Sequence, residues 1–405
     1  MNRILLAVLV VCCLAGSHPL LASGWDNSLV GARAGGMGSA FAGLADDATA
    51  IFYNPGGLSF TGDKGEIIVV AKQYWPEHTY TTFEGDETVS RNPTFLPEFF
   101  AYTRIGERFT IGLGAYTPYA GGGIEWLAED VGIHVDGSIH IISVTPTASY
   151  RFNDWLSIGL NLNGYFGRSD QEYMNPNAGY TDVGFFSSDE DDFSLAVSSG
   201  LFIKPSEKWS AGLTWHSASD MDLTGQTDLE TLVFTGTYDS STSFSLPNWF
   251  ALGGAYHVSE KWTLVAELDY FDWSSMEALN KTISDTPFGD IEQQELTGFD
   301  DGYYLQFGTE YDLSEAWTIR GGASYEHKAV DPDYLSLTNV DVSKVHLFGG
   351  VTWNHGPWHV DLGGFWSTGR EAERSADIER MGYFDLPGTY NIDAAGLLLA
   401  VGRTF

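Results

Sequence analysis

Apolar and polar residues alternate with a period of two in short segments along most of the chain. In one such segment the residues of one face are apolar, namely Leu264, Ala266, Leu268 and Tyr270. Those of the opposite face are mainly polar, namely Thr263, Glu267 and Asp269. Successive side chains of a β-strand point to opposite faces, so this period predicts strands and does not fit helices.

A short polar turn followed by a tryptophan recurs along the chain. The tryptophans of the five copies are Trp155, Trp209, Trp262, Trp317 and Trp358. An alternating segment lies before and after each copy, which is the pattern of a β-hairpin with a tight turn. Longer polar connections join one hairpin to the next, so the chain is predicted to be all-β.

The alternating segments predict 14 strands. They lie at residues 65–75, 95–105, 109–118, 140–151, 155–167, 193–204, 208–217, 246–257, 261–273, 302–313, 316–326, 343–354, 357–367 and 392–405. Six tight turns alternate with seven longer loops, as in barrels whose turns face the periplasm and whose loops face outside. The predicted fold is a 14-stranded antiparallel transmembrane β-barrel. The five tryptophans would form an aromatic girdle at the periplasmic interface, with packing in hairpin cores as the alternative.

Both ends of the chain carry signals of export. Residues 1–23 combine a charged start, an apolar run and small residues at a possible cleavage site, which predicts a signal peptide. Both cysteines, Cys12 and Cys13, lie in that run, so the mature chain would have none. The final strand ends on Phe405, which resembles the signal read by the outer-membrane assembly machinery. The predicted location is the outer membrane of a Gram-negative bacterium.

Charge limits the possible partners. The chain has 54 acidic and 20 basic residues and a net charge of −34, which argues against nucleic acid as a partner. Solvated outer loops explain this excess most simply, and the run 189–192 is predicted to be a solvated cluster in such a loop. Divalent cations that bridge acidic loops to lipopolysaccharide are the alternative. Contact with outer-membrane lipid is expected, and the chain is expected to be a monomer.

Residues 24–62 interrupt the alternation. They are small, rich in glycine and without strand periodicity, which predicts a compact plug inside the barrel of residues 63–405. We call residues 24–62 the N-terminal segment. Asp46 or Asp47 can cap a short helix here, and Pro55 would end it.

The N-terminal segment resembles the hatch of the FadL/TodX family of outer-membrane transporters. The match includes Ala-Asp-Asp-Ala at 45–48 and the family's Asn-Pro-Ala motif, which is Asn54-Pro55-Gly56 here. Glycine replaces the usual alanine, a change of one small residue for another. Further matches at 96–99, 116–119, 246–247 and 272–274 extend the resemblance over essentially the whole mature chain.

This resemblance implies a passive channel for long-chain fatty acids or other hydrophobic molecules, including aromatic hydrocarbons. Substrate would bind in an apolar tunnel, the hatch would rearrange, and substrate would leave sideways through the barrel wall. A dry route is favourable because a lipid tail pays about 0.8 kcal/mol per methylene to enter water. The family also has an inward kink in the third strand. Gly112, Gly114 and Pro118 are the candidates for it, with a strand end entering a loop as the alternative.

Five residues are predicted to bind substrate. A buried carboxylate needs a cation, because leaving it unpaired is costly. By resemblance, Arg168 and Lys281 fall near the family's basic carboxylate-binding positions, and balance of acidic neighbours is the alternative. Phe166, Phe271 and Trp273 are predicted to line the tunnel from inward parity along their strands.

Motifs of other chemistry are absent from the sequence. No Gly-x-Ser-x-Gly elbow occurs, and His355 with His359 spans a turn and predicts surface residues rather than a metal site. Gly36-Met37-Gly38 lacks the third glycine of a dinucleotide fingerprint, so no cofactor is expected. The alternatives to a channel are a structural or adhesive surface barrel and, least favoured, an outer-membrane lipid enzyme. A merely structural barrel needs no glycine-rich hatch, which favours the channel.

Overall fold

The computed structural model describes residues 25–128, 133–174, 183–231, 234–375 and 386–405. The predicted signal peptide lies outside these ranges. Within them the chain forms twenty strands, which are β1 Gly65–Thr81, β2 Glu87–Ser90, β3 Thr94–Ile105, β4 Phe109–Ala128, β5 Ile133–Arg151, β6 Leu156–Met174, β7 Val183–Ser206, β8 Trp209–His216, β9 Ser219–Thr231, β10 Thr235–Leu246, β11 Trp249–Ser259, β12 Trp262–Phe271, β13 Ala278–Thr286, β14 Gly289–Leu296, β15 Gly302–Asp312, β16 Trp317–His327, β17 Lys344–His355, β18 Trp358–Gly369, β19 Ala372–Arg374 and β20 Gly388–Thr404.

Helices are few and short. The described ranges contain two α-helices, α1 Ala32–Gly35 and α2 Ala50–Tyr53, and three 3-10 helices, Pro55–Phe60, Trp273–Ser275 and Pro332–Tyr334. In the part of the chain that the structure describes, no helix has the length and apolar character needed to cross a membrane.

The strands form a closed antiparallel barrel. β1 pairs with β3 on one side and with β20 on the other, so the first and last wall strands close the sheet. The wall strands, in order around the barrel, are β1, β3, β4, β5, β6, β7, β8, β11, β12, β15, β16, β17, β18 and β20. The predicted 14-stranded antiparallel barrel is therefore confirmed.

Six further strands lie in the long connections, at what we call the loop end of the barrel. The opposite end, with the tight turns, is the turn end. β9 pairs with the outer part of β7 and with β10, and β13 pairs with β10 and β14, so the wall extends as a sheet beyond the predicted strand ends. The acidic run 189–192 consequently lies within β7 and not in a loop, which corrects the prediction. Glu190 in this run is buried and forms an ion pair with Lys281.

The outer face of the barrel is apolar, as predicted. On β12 exposed and buried residues alternate strictly, with Leu264, Leu268 and Tyr270 exposed and Glu267 and Asp269 buried. The five tryptophans that follow the turns are 42–55% exposed on the outer face. This exposure excludes packing in hairpin cores and agrees with a girdle at a membrane interface.

The described part of the N-terminal segment, residues 25–62, contacts the inner face of the wall all around the barrel. Its partners on the wall strands include Glu66, Glu98, Ser149, Asn161, Ser210, Glu267 and Glu310. The two backbones approach so closely because several inward positions of the wall are glycine. A Cβ atom at any of these positions would collide with the segment, namely at Gly159, Gly200, Gly212, Gly253, Gly308 and Gly322.

Candidate functional site

Asn54 fixes the fold of the N-terminal segment and joins it to the wall. Its Nδ2 donates to the carbonyl oxygens of Ala42 and of Leu201 on β7, both at 3.0 Å, and its Oδ1 accepts from the Gly56 N–H at 3.0 Å. The side chain is fully buried. α2 ends at Tyr53, just before Asn54, and a 3-10 helix begins at Pro55, which confirms Pro55 as the helix stop.

The two aspartates of the hatch motif have different partners. Asp47 Oδ1 accepts from the N–H of Thr49 at 2.8 Å, so Asp47 caps the turn that leads into α2. Asp46 instead binds Arg33, with 2.6 Å between Oδ1 and the guanidinium. Arg33 also makes two 3.0 Å hydrogen bonds to Glu310 on β15, and Glu310 pairs with Arg320 on β16. Arg33 thus fastens the segment to the wall.

The hydrogen-bond ladder between β3 and β4 stops partway along the wall. It runs from Phe109, opposite Ile105, to Ala115, opposite Phe99. Beyond this point β3 and β4 do not pair with each other in the described part of the chain. Residues 94–98 of β3 pair only with β1. Residues 116–124 of β4 pair only with β5 and with Asp26. We call this break, between 94–98 and 116–124, the β3–β4 gap.

The register of β4 changes at the position of the gap, around Pro118. The register opposite β5 shifts between Tyr116 and Tyr119, and the Pro118 carbonyl accepts from the N–H of Asn27 at 2.8 Å. This irregularity lies at Pro118, one of the three predicted kink positions, and the kink itself stays a prediction. Gly112 and Gly114 precede the irregularity. At both, a Cβ atom would press on Ile51 of α2, so these glycines make room for the N-terminal segment.

Two cavities lie inside the barrel beside residues 25–29. The larger one, the cleft, encloses about 620 Å³, its open side included. Its apolar lining comprises Leu29, Tyr74, Phe348, Phe365, Ile392 and Ala394. The smaller cavity, of about 280 Å³, is mainly aromatic and is lined among others by Phe52, Tyr116, Tyr119, Tyr165, Trp249 and Phe271. Ser28 contacts both cavities, so residues 25–29 form a partition between them.

The predicted inward positions are confirmed for two aromatic residues. Phe271 lines the smaller cavity and stacks on Trp249 at 5.2 Å between ring centroids. Trp273 is fully buried, and its ring centroid lies 6.2 Å from that of Tyr119 and 5.1 Å from that of Phe299.

Phe166 and Arg168 lie on the outer face, so their predicted place in an apolar tunnel is wrong. Phe166 is 49% exposed. The Arg168 side chain is 59% exposed and pairs with Asp170 at 2.8 Å. Counting alternate positions from Trp155, whose side chain points outward, assigns the even-numbered residues to the inner face. β6 begins one residue later, at Leu156, and its odd-numbered residues, starting at Ser157, point inward.

Lys281 is buried but lies apart from both cavities. It belongs to a small core at the loop end, with its ammonium over the ring of Phe186 at 5.0 Å. Its Nζ lies 2.9 Å from Glu190 Oε1 and donates to Ser188 Oγ at 2.8 Å. Its charge is thus already balanced.

Sequence reasoning missed two buried lysines inside the barrel. Lys72 on β1 pairs with Glu98 on β3 at 2.6 Å, beside the β3–β4 gap. Lys344 on β17 lines the cleft and pairs with Glu326 at 2.6 Å. Inward parity was the only signal for them in the sequence, and it does not distinguish a paired charge from a hydrated one.

Asp341 adds a second acid near Lys344, from the connection between β16 and β17. Its Oδ1 lies 3.4 Å from Lys344 Nζ, and its Oδ2 accepts from the N–H groups of Ala329 and Val330. Burial raises the pKa of the Asp341 carboxyl, and the Lys344 ammonium opposes that shift. The carboxyl group thus anchors this connection over the barrel. No cluster of metal-ligating side chains occurs in the described ranges.

Comparisons with known proteins agree on one family. The family model described as outer membrane protein transport protein (OMPP1/FadL/TodX) matches residues 21–405. Outer membrane protein P1 of Haemophilus influenzae is 23% identical, over 85% of this chain and 87% of that protein. The long-chain fatty acid transport protein of Escherichia coli K12 is 23% identical, over 62% of this chain and 54% of that protein. The crystal structure of the Ralstonia pickettii toluene transporter TbuX superposes with a TM-score of 0.73, at 17% identity, over 95% of this chain and 99% of that one.

Proposed function

Because this chain belongs to the OMPP1/FadL/TodX family of outer membrane transport proteins, we propose that it is a passive channel for hydrophobic small molecules. It is a protein of the Gram-negative outer membrane. Two relatives transport a long-chain fatty acid and toluene by name. We propose substrates of the same general class here, hydrophobic molecules with a long alkyl chain or an aromatic ring.

The observation that carries this proposal is a cleft with one apolar side, which β3 separates from the β3–β4 gap. Tyr74 lines the cleft, and its inward neighbour Leu96 belongs to the part of β3 that faces the gap. A molecule that enters from the loop end can bury its apolar surface in the cleft. It can then pass through the gap into the membrane without entering water. Exposing apolar surface to water costs about 25 cal/mol per Å².

The N-terminal segment is the part that has to move in this mechanism. Residues 25–29 separate the two cavities and are hydrogen-bonded to β4 around Pro118 through Asn27 and Trp25. Displacing this partition would join the cavities and bring them to the β3–β4 gap. The rest of the segment, held by Asn54 and Arg33, would keep the barrel closed to water-soluble molecules. In this mechanism the segment acts as a hatch.

Uptake by whole cells tests the proposed function. The full-length chain is expressed in a Gram-negative host that lacks its own channels of this kind, and uptake of labelled toluene, oleate and maltose is measured. We expect uptake of toluene, oleate or both to rise well above that of cells with an empty vector. Maltose uptake should stay unchanged, because the N-terminal segment fills the barrel.

Equal uptake with and without the protein for both hydrophobic compounds would reject a hydrophobic-substrate channel. A rise for maltose alone would indicate an open, water-filled pore instead. Folding of the barrel, measured by its heat-modifiable mobility on a gel, shows that a negative result does not come from failed assembly.

A further inference from the structure

One wall of the cleft carries a row of polar side chains across four neighbouring strands. Gln306 on β15 lies opposite Ser324 on β16, Ser324 lies opposite His346 on β17, and His346 lies opposite Ser367 on β18. Directly opposite residues have Cβ atoms about 4.5–5.5 Å apart, so the four side chains form a continuous line. All four contact the cleft. We call them the polar row.

Both ends of the polar row have a buried polar atom without a hydrogen bond. Among the described residues, Ser367 Oγ and Gln306 Oε1 have no partner, although each residue is only 1% exposed. The Gln306 amide is oriented by its Nε2, which donates to Asp269 Oδ2 at 2.8 Å. A buried polar group without a partner is costly, so these atoms favour a ligand that supplies hydrogen bonds.

Near the polar row Lys344 is already paired, and it faces two carboxyl groups. Lys344 Nζ lies between Glu326 at 2.6 Å and Asp341 at 3.4 Å. His346 Nε2 lies 2.9 Å from the other oxygen of Glu326. A carboxylate that entered the cleft would have to displace one of these acids and would meet the other. An anionic head group is therefore disfavoured at this wall.

Hydrogen-bond chemistry narrows the ligand further. Gln306 Oε1 only accepts, so its partner must carry a proton, which an ionised carboxylate lacks. Ser367 can donate or accept. Close to Ser367 on the same strand, Phe365 packs edge-on against Tyr74 with 5.3 Å between ring centroids, and together with Phe348 these rings form the apolar side of the cleft. The wall thus offers hydrogen bonds beside an aromatic surface.

From these contacts we propose that the cleft selects uncharged hydrophobic molecules that carry a hydroxyl group, such as alkylphenols. The hydroxyl group bonds to Ser367, the end of the polar row beside Phe365, and the ring packs on Phe365, Phe348 and Tyr74. This inference rests on the proposed function and adds the substrate class to it. It makes Ser367 a specificity-determining residue rather than a structural one.

The test is a set of dissociation constants for three ligands of the same shape, toluene, p-cresol and p-toluate. They are measured with the full mature chain in lipid nanodiscs, for wild type, Ser367→Ala and Ser143→Ala. Ser143 is the matched control, a buried serine inside the barrel whose hydroxyl is bonded to Thr145. We expect wild type to bind p-cresol more tightly than toluene and p-toluate most weakly. Ser367→Ala should weaken p-cresol about three- to tenfold, the range of one neutral hydrogen bond, and leave toluene unchanged.

Equal affinity for toluene and p-cresol in wild type would overturn the inference while leaving a hydrophobic channel intact. So would p-toluate binding more tightly than p-cresol, or Ser143→Ala reproducing the effect of Ser367→Ala. Absence of binding for all three ligands would overturn the inference and leave molecules with a long alkyl chain as the substrates of the proposed channel.

Discussion

A disulfide bond between positions 26 and 119 should stop the uptake of hydrophobic substrates. Asp26 lies in the partition and Tyr119 on β4, and the two residues face each other in an isolated antiparallel bridge with a backbone hydrogen bond on either side. Opposite residues of such a non-hydrogen-bonded pair have Cα atoms about 4.5 Å apart, which is within the range of a disulfide. In Asp26→Cys/Tyr119→Cys the oxidised partition could not leave β4, so the two cavities would stay separate. Uptake of toluene and oleate is measured before and after reduction.

A second disulfide serves as the control. Ser59 and Ser149 have hydroxyl oxygens 2.6 Å apart, and Ser59 lies close to the start of β1, where the chain already joins the segment to the wall. Ser59→Cys/Ser149→Cys should therefore transport in both redox states. No cysteine follows Cys13 in the sequence, so neither pair has a competitor in the described chain. Equal uptake by oxidised and reduced Asp26→Cys/Tyr119→Cys would contradict a moving partition.

Replacing Arg33 by methionine should make the barrel leak ions. Arg33 binds Asp46 within the segment and Glu310 on the wall. Methionine keeps much of the packing on Phe41, over whose ring the guanidinium lies at 5.4 Å, but leaves the acids without this partner. Removing one partner of a buried pair costs about 3–5 kcal/mol, and the 19% exposure of the Arg33 side chain places this case at or below the lower end. This loss of free energy weakens the contact that holds the N-terminal segment to the wall.

The readout is ion conductance across a planar lipid bilayer. We expect low conductance for wild type, a clear rise for Arg33→Met and an intermediate value for Arg33→Lys, which keeps the charge but not the two-pronged bond to Glu310. Unchanged conductance in Arg33→Met would mean that other contacts, such as those of Asn54, suffice to hold the segment.

The barrel was predictable because its outer face meets lipid. Lipid contact requires apolar residues at alternate positions, and this period can be counted along a single strand, as on β12. Strands at the loop end were missed because their exposed face is polar and not apolar. β9, for example, alternates buried and exposed residues, but its exposed residues include Asp222 and Asp228. Its residues 224–231 pair with residues 183–191 of β7. The assignment of residues to the inner or outer face can also be wrong within one strand. On β6 it was wrong because Trp155 precedes the strand instead of starting it.

The candidate site was predictable only in part. Asn54, Pro55 and Pro118 carry local signals, since an amide before a proline and a proline in a strand both restrict the backbone. Ion pairs and the polar row depend on register between strands that lie far apart in sequence. Gln306 and Ser367 face one cleft only because β15 to β18 pair as they do. The register between these strands cannot be read from the pattern of residues along a single strand.

The central claim is that substrate passes from the cleft through the β3–β4 gap, and photolabelling tests it most directly. A hydrophobic probe with a diazirine group is activated in the presence of the protein in a bilayer, and labelled residues are mapped by mass spectrometry with and without excess toluene. Only labels that excess toluene suppresses are counted. This criterion removes labels on the lipid-facing surface, which toluene does not suppress. We expect such labels on Tyr74 and Phe365 in the cleft and on Leu96 at the gap. Suppressible labels at the turn end, on Phe60 and Phe202, with none on Leu96, would contradict lateral exit and indicate a route along the barrel axis.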